Sequence, residues 1–119
     1  MTTDGQGTWV AVWHSLGSLG GTIGADGDIL VARSTNAGAT WTAPVALNTN
    51  AGSDAGVDLY SQLTTDGLGA WVAVWQSRDS LGGTIGTDSD ILVAHSADDG
   101  ATWTAPAALN TNATSDVGD

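Results

Sequence analysis

TTDGQGTWVAVW, residues 2–13, returns as TTDGLGAWVAVW at residues 64–75. The offset is 62 residues and it never slips: Trp9 matches Trp71, Ile29 matches Ile91, and Trp41 matches Trp103. Of the 56 aligned pairs from Thr2/Thr64 to Val57/Asp119, 41 are identical and no gap is needed. Self-similarity at a fixed period marks one supersecondary unit used more than once. Residues 1–56 and 57–119 therefore read as two copies of one unit rather than two unrelated domains.

Within each copy the apolar residues alternate with period two, which predicts strands. WVAVW (9–13 and 71–75) puts both Trp on one face and both Val on the other. DILVA (28–32 and 90–94) is a short apolar run of the buried-strand type. Residues 41–47 and 103–109 predict a third strand carrying Pro44 or Pro106. Proline has no N–H to give to a ladder, so that strand belongs at a sheet edge. VDLYSQLT (57–64) alternates as well and predicts a fourth strand. Four antiparallel strands with a Pro-bearing edge fit a β-propeller blade. The long connections are HSLGSLGGTIGADG (14–27) and NTNAGSDAG (48–56).

Composition narrows the function classes. There are 13 acidic residues, all Asp, against Arg33 and Arg78, for a net charge of −11. Nucleic acid and anionic membranes need a basic footprint, so neither is an expected partner. The charge favours solubility, cations or salty surroundings. With no Cys there is neither a disulfide framework nor a thiolate metal site. No apolar run approaches the ~18 residues of a spanning helix. The start, MTTDGQGTW, lacks the basic and apolar regions of a signal peptide.

Between the second and third strands lies Ser96-Ala97-Asp98-Asp99-Gly100-Ala101-Thr102-Trp103. It resembles the S-x-D-x-G-x-T-W box of bacterial neuraminidase repeats. Ser34-Thr35-Asn36-Ala37-Gly38-Ala39-Thr40-Trp41 is the same box with Asn for Asp. The physics of the turn agrees. Asp98 or Asn36 can accept backbone N–H groups, Gly38 and Gly100 can take a positive φ, and Trp41 and Trp103 are expected to drop into the core. Ser34, Asn36, Gly38, Thr40, Trp41, Ser96, Asp98, Gly100, Thr102 and Trp103 are thus expected to be structural rather than catalytic.

The resemblance to Asp-box propellers of the sialidase-like superfamily implies an all-β fold of four-stranded antiparallel blades, two per chain. Strands A to D run from axis to rim, and the box lies between C and D. Blade 1 (1–56) holds strands B, C and D with strand A largely missing; blade 2 (57–119) holds all four. Two blades cannot close a ring alone, so the expected partner is the chain itself. Three chains give six blades, the favoured number, and four give eight. Val117–Asp119 of one chain and Met1–Asp4 of the next are expected to meet as a broken strand A; the alternative is a three-stranded first blade, or a fragment of a longer array. The resemblance also implies an extracellular or cell-surface location.

A sialidase-like site is expected to combine an arginine triad, a Tyr–Glu pair and an Asp acid/base. This chain has no Glu, one Tyr (Tyr60) and two Arg. Arg33 lies beside the box, and Arg78 has Leu16 as its repeat mate. The expected function is therefore a non-catalytic building block that self-assembles into a closed ring, and a lectin-like module if its loop end binds a glycan. The alternative is a sialidase-superfamily glycoside hydrolase fragment or assembly, with its carboxylate pair drawn from Asp. The candidate ligand face is Asp26, Asp28, Asp88, Asp90, Asp58, Tyr60, Arg78 and Asp79, with Asp54 and Asp116 in the neighbouring loops. The D-x-D pairs Asp26/Asp28 and Asp88/Asp90 could hold Ca²⁺, or cap turns and keep the surface solvated. No cofactor is required by this reading. His14 and His95 read as surface polar residues, and Trp9, Trp13, Trp71 and Trp75 as core between blades.

Overall fold

The computed structural model describes residues 1–17, 19, 21, 23, 26–49, 51–52, 56–79, 81 and 88–110. Its elements are β1 (Thr2–Thr3), β2 (Trp9–Ser15), β3 (Asp28–Ser34), β4 (Val45–Ala46), β5 (Asp58–Thr65), β6 (Trp71–Ser77), β7 (Asp90–Ser96) and β8 (Ala107–Ala108). They form two four-stranded antiparallel sheets, ordered β1-β2-β3-β4 and β5-β6-β7-β8. The described residues contain no helix. Registers repeat at the offset of 62: Val10 faces Arg33 as Val72 faces His95, and Leu30 faces Ala46 as Leu92 faces Ala108.

The proline-bearing strands are edge strands, but only two residues of each join the ladder. The segment still follows its neighbour on both sides of the proline. Thr42 N–H donates to Arg33 O at 2.9 Å, and Leu47 N–H donates to Ile29 O at 2.7 Å. Pro44 cannot donate, so pairing stops there and resumes at Val45. The strand over 57–64 is found at Asp58–Thr65, with a bulge between Leu59 and Gln62.

The two sheets pack face to face, and they do so with different faces. The first presents Val10, Ile29, Val31 and Leu47; the second presents Trp71, Ala73, Trp75, Leu92 and Ala94. All nine are buried in one cluster. The repeat supplies an internal control, because every one of these positions has a chemically matched mate. Val10, Ile29 and Leu47 are each 0% exposed, while their mates Val72, Ile91 and Leu109 are 40%, 39% and 51% exposed. Trp71, Ala73 and Trp75 are buried, while Trp9, Ala11 and Trp13 are half-buried. Trp13 is covered in part by a smaller cluster with Ile23, Leu30 and Ala51. A side chain's burial here is set by whether a sheet lies on its face, not by its own sequence.

The same rule corrects the expectation for the two turn tryptophans. Trp41 is 40% exposed and Trp103 is half-buried, so they do not both drop into the core. The turn over 96–103 presses on the preceding sheet: a Cβ on Gly100 would stand 3.0 Å from Val10 Cγ2 and 3.5 Å from Arg33 Cδ. Trp103 packs against the shared cluster from there. Trp41 belongs to the first sheet, and among the described residues no second sheet lies against its turn. Further bonds tie the pair together at this end: Thr8 Oγ1 to Asp99 Oδ2 at 3.1 Å, and Gln6 Nε2 to Gly67 O at 2.9 Å.

The contrast between mates yields a mutational test. Trp71→Ala removes a fully buried ring and should cost about 3–5 kcal/mol, enough to unfold a marginal chain. Trp41→Ala should cost less than about 1 kcal/mol in dilute solution. Urea unfolding followed by circular dichroism measures both, and equal losses at the two positions would contradict the packing assignment.

Candidate functional site

The sheets share two ends. At one end lie the hairpin turns after β1 and β5 and the turns over 34–41 and 96–103. Ala37 N–H bonds to Gly7 O and Asp99 N–H to Gly69 O, both at 2.9 Å. In the first turn Thr40 N–H and Ser34 Oγ donate to Asn36 Oδ1, and Gly38 N–H donates to Ser34 Oγ, each at 2.9 Å. In the second, Thr102 N–H and Ser96 Oγ donate to Asp98 Oδ1 at 2.9 and 2.7 Å, and Gly100 N–H donates to Ser96 Oγ at 2.9 Å. Only one bond reverses between them. Asn36 Nδ2 donates to Thr40 Oγ1, whereas Thr102 Oγ1 donates to Asp98 Oδ2. The hydroxyl and N–H of Thr102, followed by Ser96, hold the Asp98 carboxyl down at about 2. Gly38 and Gly100 sit at φ 87° and 84°, where a side chain would be strained. The polar groups of Ser34, Asn36, Thr40, Ser96, Asp98 and Thr102 are thus spent on the turns themselves, while the Trp103 indole N–H is buried without a partner.

At the other end, Asp28 opens β3, Asp58 opens β5 and Asn48 follows β4; all three are buried. Asn48 Nδ2 donates to Asp28 Oδ1 and to Asp58 Oδ2, both at 2.9 Å, while its Oδ1 accepts from Ile29 N–H at 2.9 Å. One amide therefore joins the start of a strand in each sheet. Backbone bonds close the corner: Asp58 N–H to Gly27 O at 2.8 Å and Arg78 N–H to Val57 O at 3.1 Å. The approach is tight enough to require glycine. A Cβ on Gly27 would stand 3.1 Å from Val57 Cγ1, and one on Gly56 would collide with the backbone of Asp79.

Burying two carboxylates on one neutral amide has an electrostatic consequence. Asp28 Oδ2 and Asp58 Oδ1 are buried without a hydrogen-bond partner. Burial pushes the Asp58 carboxyl up to about 7; the Ser77 hydroxyl opposes this, and the charges of Asp28 and Asp79 add to it. Burial also raises Asp28, against the Asn48 amide and with the help of Asp26. The second copy repeats the pair, with Asn110 Nδ2 donating to Asp90 Oδ1 at 2.8 Å and Asn110 Oδ1 accepting from Ile91 N–H at 3.0 Å.

The sequence-derived ligand residues are thus only partly brought together. Asp26, Asp28, Asp58 and Asp79 share the first corner, while Asp90 sits in the second beside Asn110. Asp26, Asp88 and Asp90 each keep one buried oxygen without a partner. Among the described residues no three Asp or His side chains group as a metal site. Tyr60 is 65% exposed, sits at φ 58° in the β5 bulge, and meets the His14 ring edge-on at 6.1 Å. Arg78 is exposed and Asp79 buried. Asp54, Asp116 and residues 117–119 lie outside the described residues. Clefts among the described residues lie elsewhere, such as one along Val31, Arg33, Val45 and Trp103 and one between Asp4, Gln6, Gly67 and Asp98; neither of these contains a candidate ligand residue. Sequence reasoning missed Asn48 as the hub, although the repeated Leu-Asn-Thr-Asn at 47–50 and 109–112 was the available signal. No family model matches the chain, and no curated protein shows significant similarity to it.

The corner makes stability depend on pH with a definite sign. Asp58 holds its proton more tightly in the folded state, at about 7, than at its ordinary 3.8. Its contribution favours folding fully below the unfolded value and is lost as pH rises through about 7. Asp98 acts oppositely, stabilising above its ordinary 3.8 and losing that effect as pH falls through about 2. The melting temperature should therefore fall between about pH 4.5 and 7.5. Asp58→Asn should flatten most of that slope, leaving a residue of the same sign from Asp28. Identical slopes in the two proteins would contradict the assignment.

Proposed function

We propose that the chain is a non-catalytic β-propeller building block of the Asp-box type, which associates head to tail with copies of itself to close a ring. The observation that carries the reading is the pair of unmatched faces. Inside the chain, a Val face of one sheet packs on a Trp face of the next. At the ends, Val72, Ile91 and Leu109 form one exposed Val face, and exposed Trp41 with half-buried Trp9 and Trp13 forms a Trp face that Ile23 and Ala51 cover in part. These are the two halves of the interface the molecule already makes once. A head-to-tail contact of this kind repeats until the rotation closes. Exposed large apolar side chains such as Val72, Ile91, Leu109 and Trp41 are what an interface would cover.

The chemistry supports binding over turnover. The chain offers no Glu, and Arg33 and Arg78 arise from unrelated positions of the repeat, so it holds no arginine triad of its own. A glycan-binding role rests on Tyr60. A bulge re-aims a side chain out of its ladder, and a positive φ at a bulky residue is a strain that often marks a site. An exposed aromatic ring beside His14 is a surface on which a sugar ring can stack.

Light scattering on the purified chain tests the assembly. The expected mass is three times 11.9 kDa, or four times if eight blades close the ring. Replacing Val72 and Ile91 together by Asp should return the chain to a monomer without abolishing its fold. A wild-type chain that stays monomeric at millimolar concentration would overturn the proposal. The assembled protein should release no product from a fluorogenic sialoside, and turnover would favour the hydrolase reading instead.

A further inference from the structure

Buried polar groups are as a rule paired, and each exception asks for a reason. Among the described residues three buried side-chain donors make no hydrogen bond: Arg33 Nε, Trp75 Nε1 and Trp103 Nε1. Trp75 lies beside the Asp58 carboxyl at the loop end. Arg33 and Trp103 instead line one cleft of about 230 Å³, where β3 and β4 meet the turn over 96–103. Both copies of the repeat build it. From β3 come Val31 and, two residues on and so on the same face, Arg33. Val45 of β4 pairs with Val31. Thr42 fixes this wall, since its N–H donates to Arg33 O and its Oγ1 accepts from Arg33 N–H, both at 2.9 Å. The second copy contributes Ala101 and Trp103. Gly100 lets the turn close on the arginine stem, because a Cβ there would stand 3.5 Å from Arg33 Cδ. The stem is therefore packed and the residue half-buried, whereas its repeat mate His95 is exposed.

We propose that this cleft binds a small organic acid, with its carboxylate on Arg33 and the Trp103 indole N–H and its apolar body against Val31 and Val45. Charge selects the class. Arg33 is one of two Lys or Arg side chains in the chain, and none of the 13 acidic residues lines the cleft. Guanidinium and indole groups only donate, so the missing partner is an acceptor. An ionised acceptor is held about twice as strongly as a neutral one. Leaving both donors buried and unpaired is costly, and a carboxylate with two oxygens relieves both at once. The walls decide the rest of the molecule. Aliphatic and aromatic side chains favour a flat apolar body over a hydrated ion. The volume lies below the roughly 300–1,000 Å³ of sites for drug-sized ligands, so the acid is small. The cleft lies between the two sheets of one chain, and the inference does not depend on ring closure.

Benzoate is the probe, titrated into the isotope-labelled chain while the indole N–H signals are followed by NMR. The Trp103 signal is assigned by its loss in Trp103→Phe. Benzoate should move that signal and saturate with a Kd of about millimolar, the range for a ligand of so few atoms. The Trp75 signal, at the loop end, should stay in place. Acetate lacks the ring and benzyl alcohol lacks the charge, and each should bind more weakly by about tenfold or more. Arg33→Gln should weaken benzoate by a similar factor while the other indole signals keep their positions. The proposal is overturned if benzoate leaves the Trp103 signal unmoved, or if benzyl alcohol binds as tightly as benzoate. It is also overturned if Arg33→Gln folds and binds benzoate with unchanged affinity. The comparison of benzoate with benzyl alcohol needs only the unmodified chain, so it decides the matter even where a variant does not fold.

Discussion

The structure depends on one contact, the packing of an aliphatic sheet face on a tryptophan-bearing one. Neither sheet could stand alone, since a four-stranded sheet with two apolar faces leaves most of its side chains in water. Stacking them buries Val10, Ile29, Val31 and Leu47 against Trp71, Ala73, Trp75, Leu92 and Ala94. Apolar area removed from water contributes roughly 25 cal/mol per Å², and the two large indoles carry much of it here. The contact is asymmetric, because each sheet offers a different face to its neighbour. That asymmetry gives the molecule a direction; among the described residues it leaves the Val72–Ile91–Leu109 face exposed and the Trp9–Trp13–Trp41 face only partly covered.

Polar groups then fix how the faces meet. At the turn end, Asp99 accepts from Trp71 Nε1 at 3.1 Å and from Thr8 Oγ1 at 3.1 Å, so one carboxylate holds a core tryptophan and the neighbouring sheet together. At the loop end, Asn48 does comparable work for Asp28 and Asp58. The loop-end arrangement specifies register, because a slip would separate donor from acceptors. It also carries a cost, since buried carboxylates with unpaired oxygens disfavour their charged forms. A corner that is tight, specific and electrostatically strained is a device for orientation more than for stability.

Much of this was legible in the sequence. Period-two alternation in WVAVW and DILVA marks β2, β3, β6 and β7, and Pro44 and Pro106 mark the edge strands. Exposure was not legible, because it is a property of neighbours. Trp41 and Trp103 occupy equivalent turns, and among the described residues the second alone packs against the shared core. Asn48 escaped notice because a neutral amide in a Gly- and Asn-rich loop looks like a turn residue until two carboxylates converge on it. The β5 bulge also left no local signal, since Tyr60 takes φ 58° where a bulky residue rarely does and no glycine marks the position. The ligand residues were partly visible: Asp26, Asp28, Asp58 and Asp79 share a corner, but Asp28 and Asp58 turn inward to Asn48 rather than outward to a ligand.

The central claim is that the two uncovered faces are halves of the interface seen between the sheets. If so, they come together only in the native state, and association must stabilise the fold by mass action. The most direct measurement is the urea midpoint of the unmodified chain as a function of its own concentration, from about micromolar to millimolar. The account predicts a midpoint that climbs steadily as the concentration rises. A midpoint that stays fixed across the whole range would contradict it.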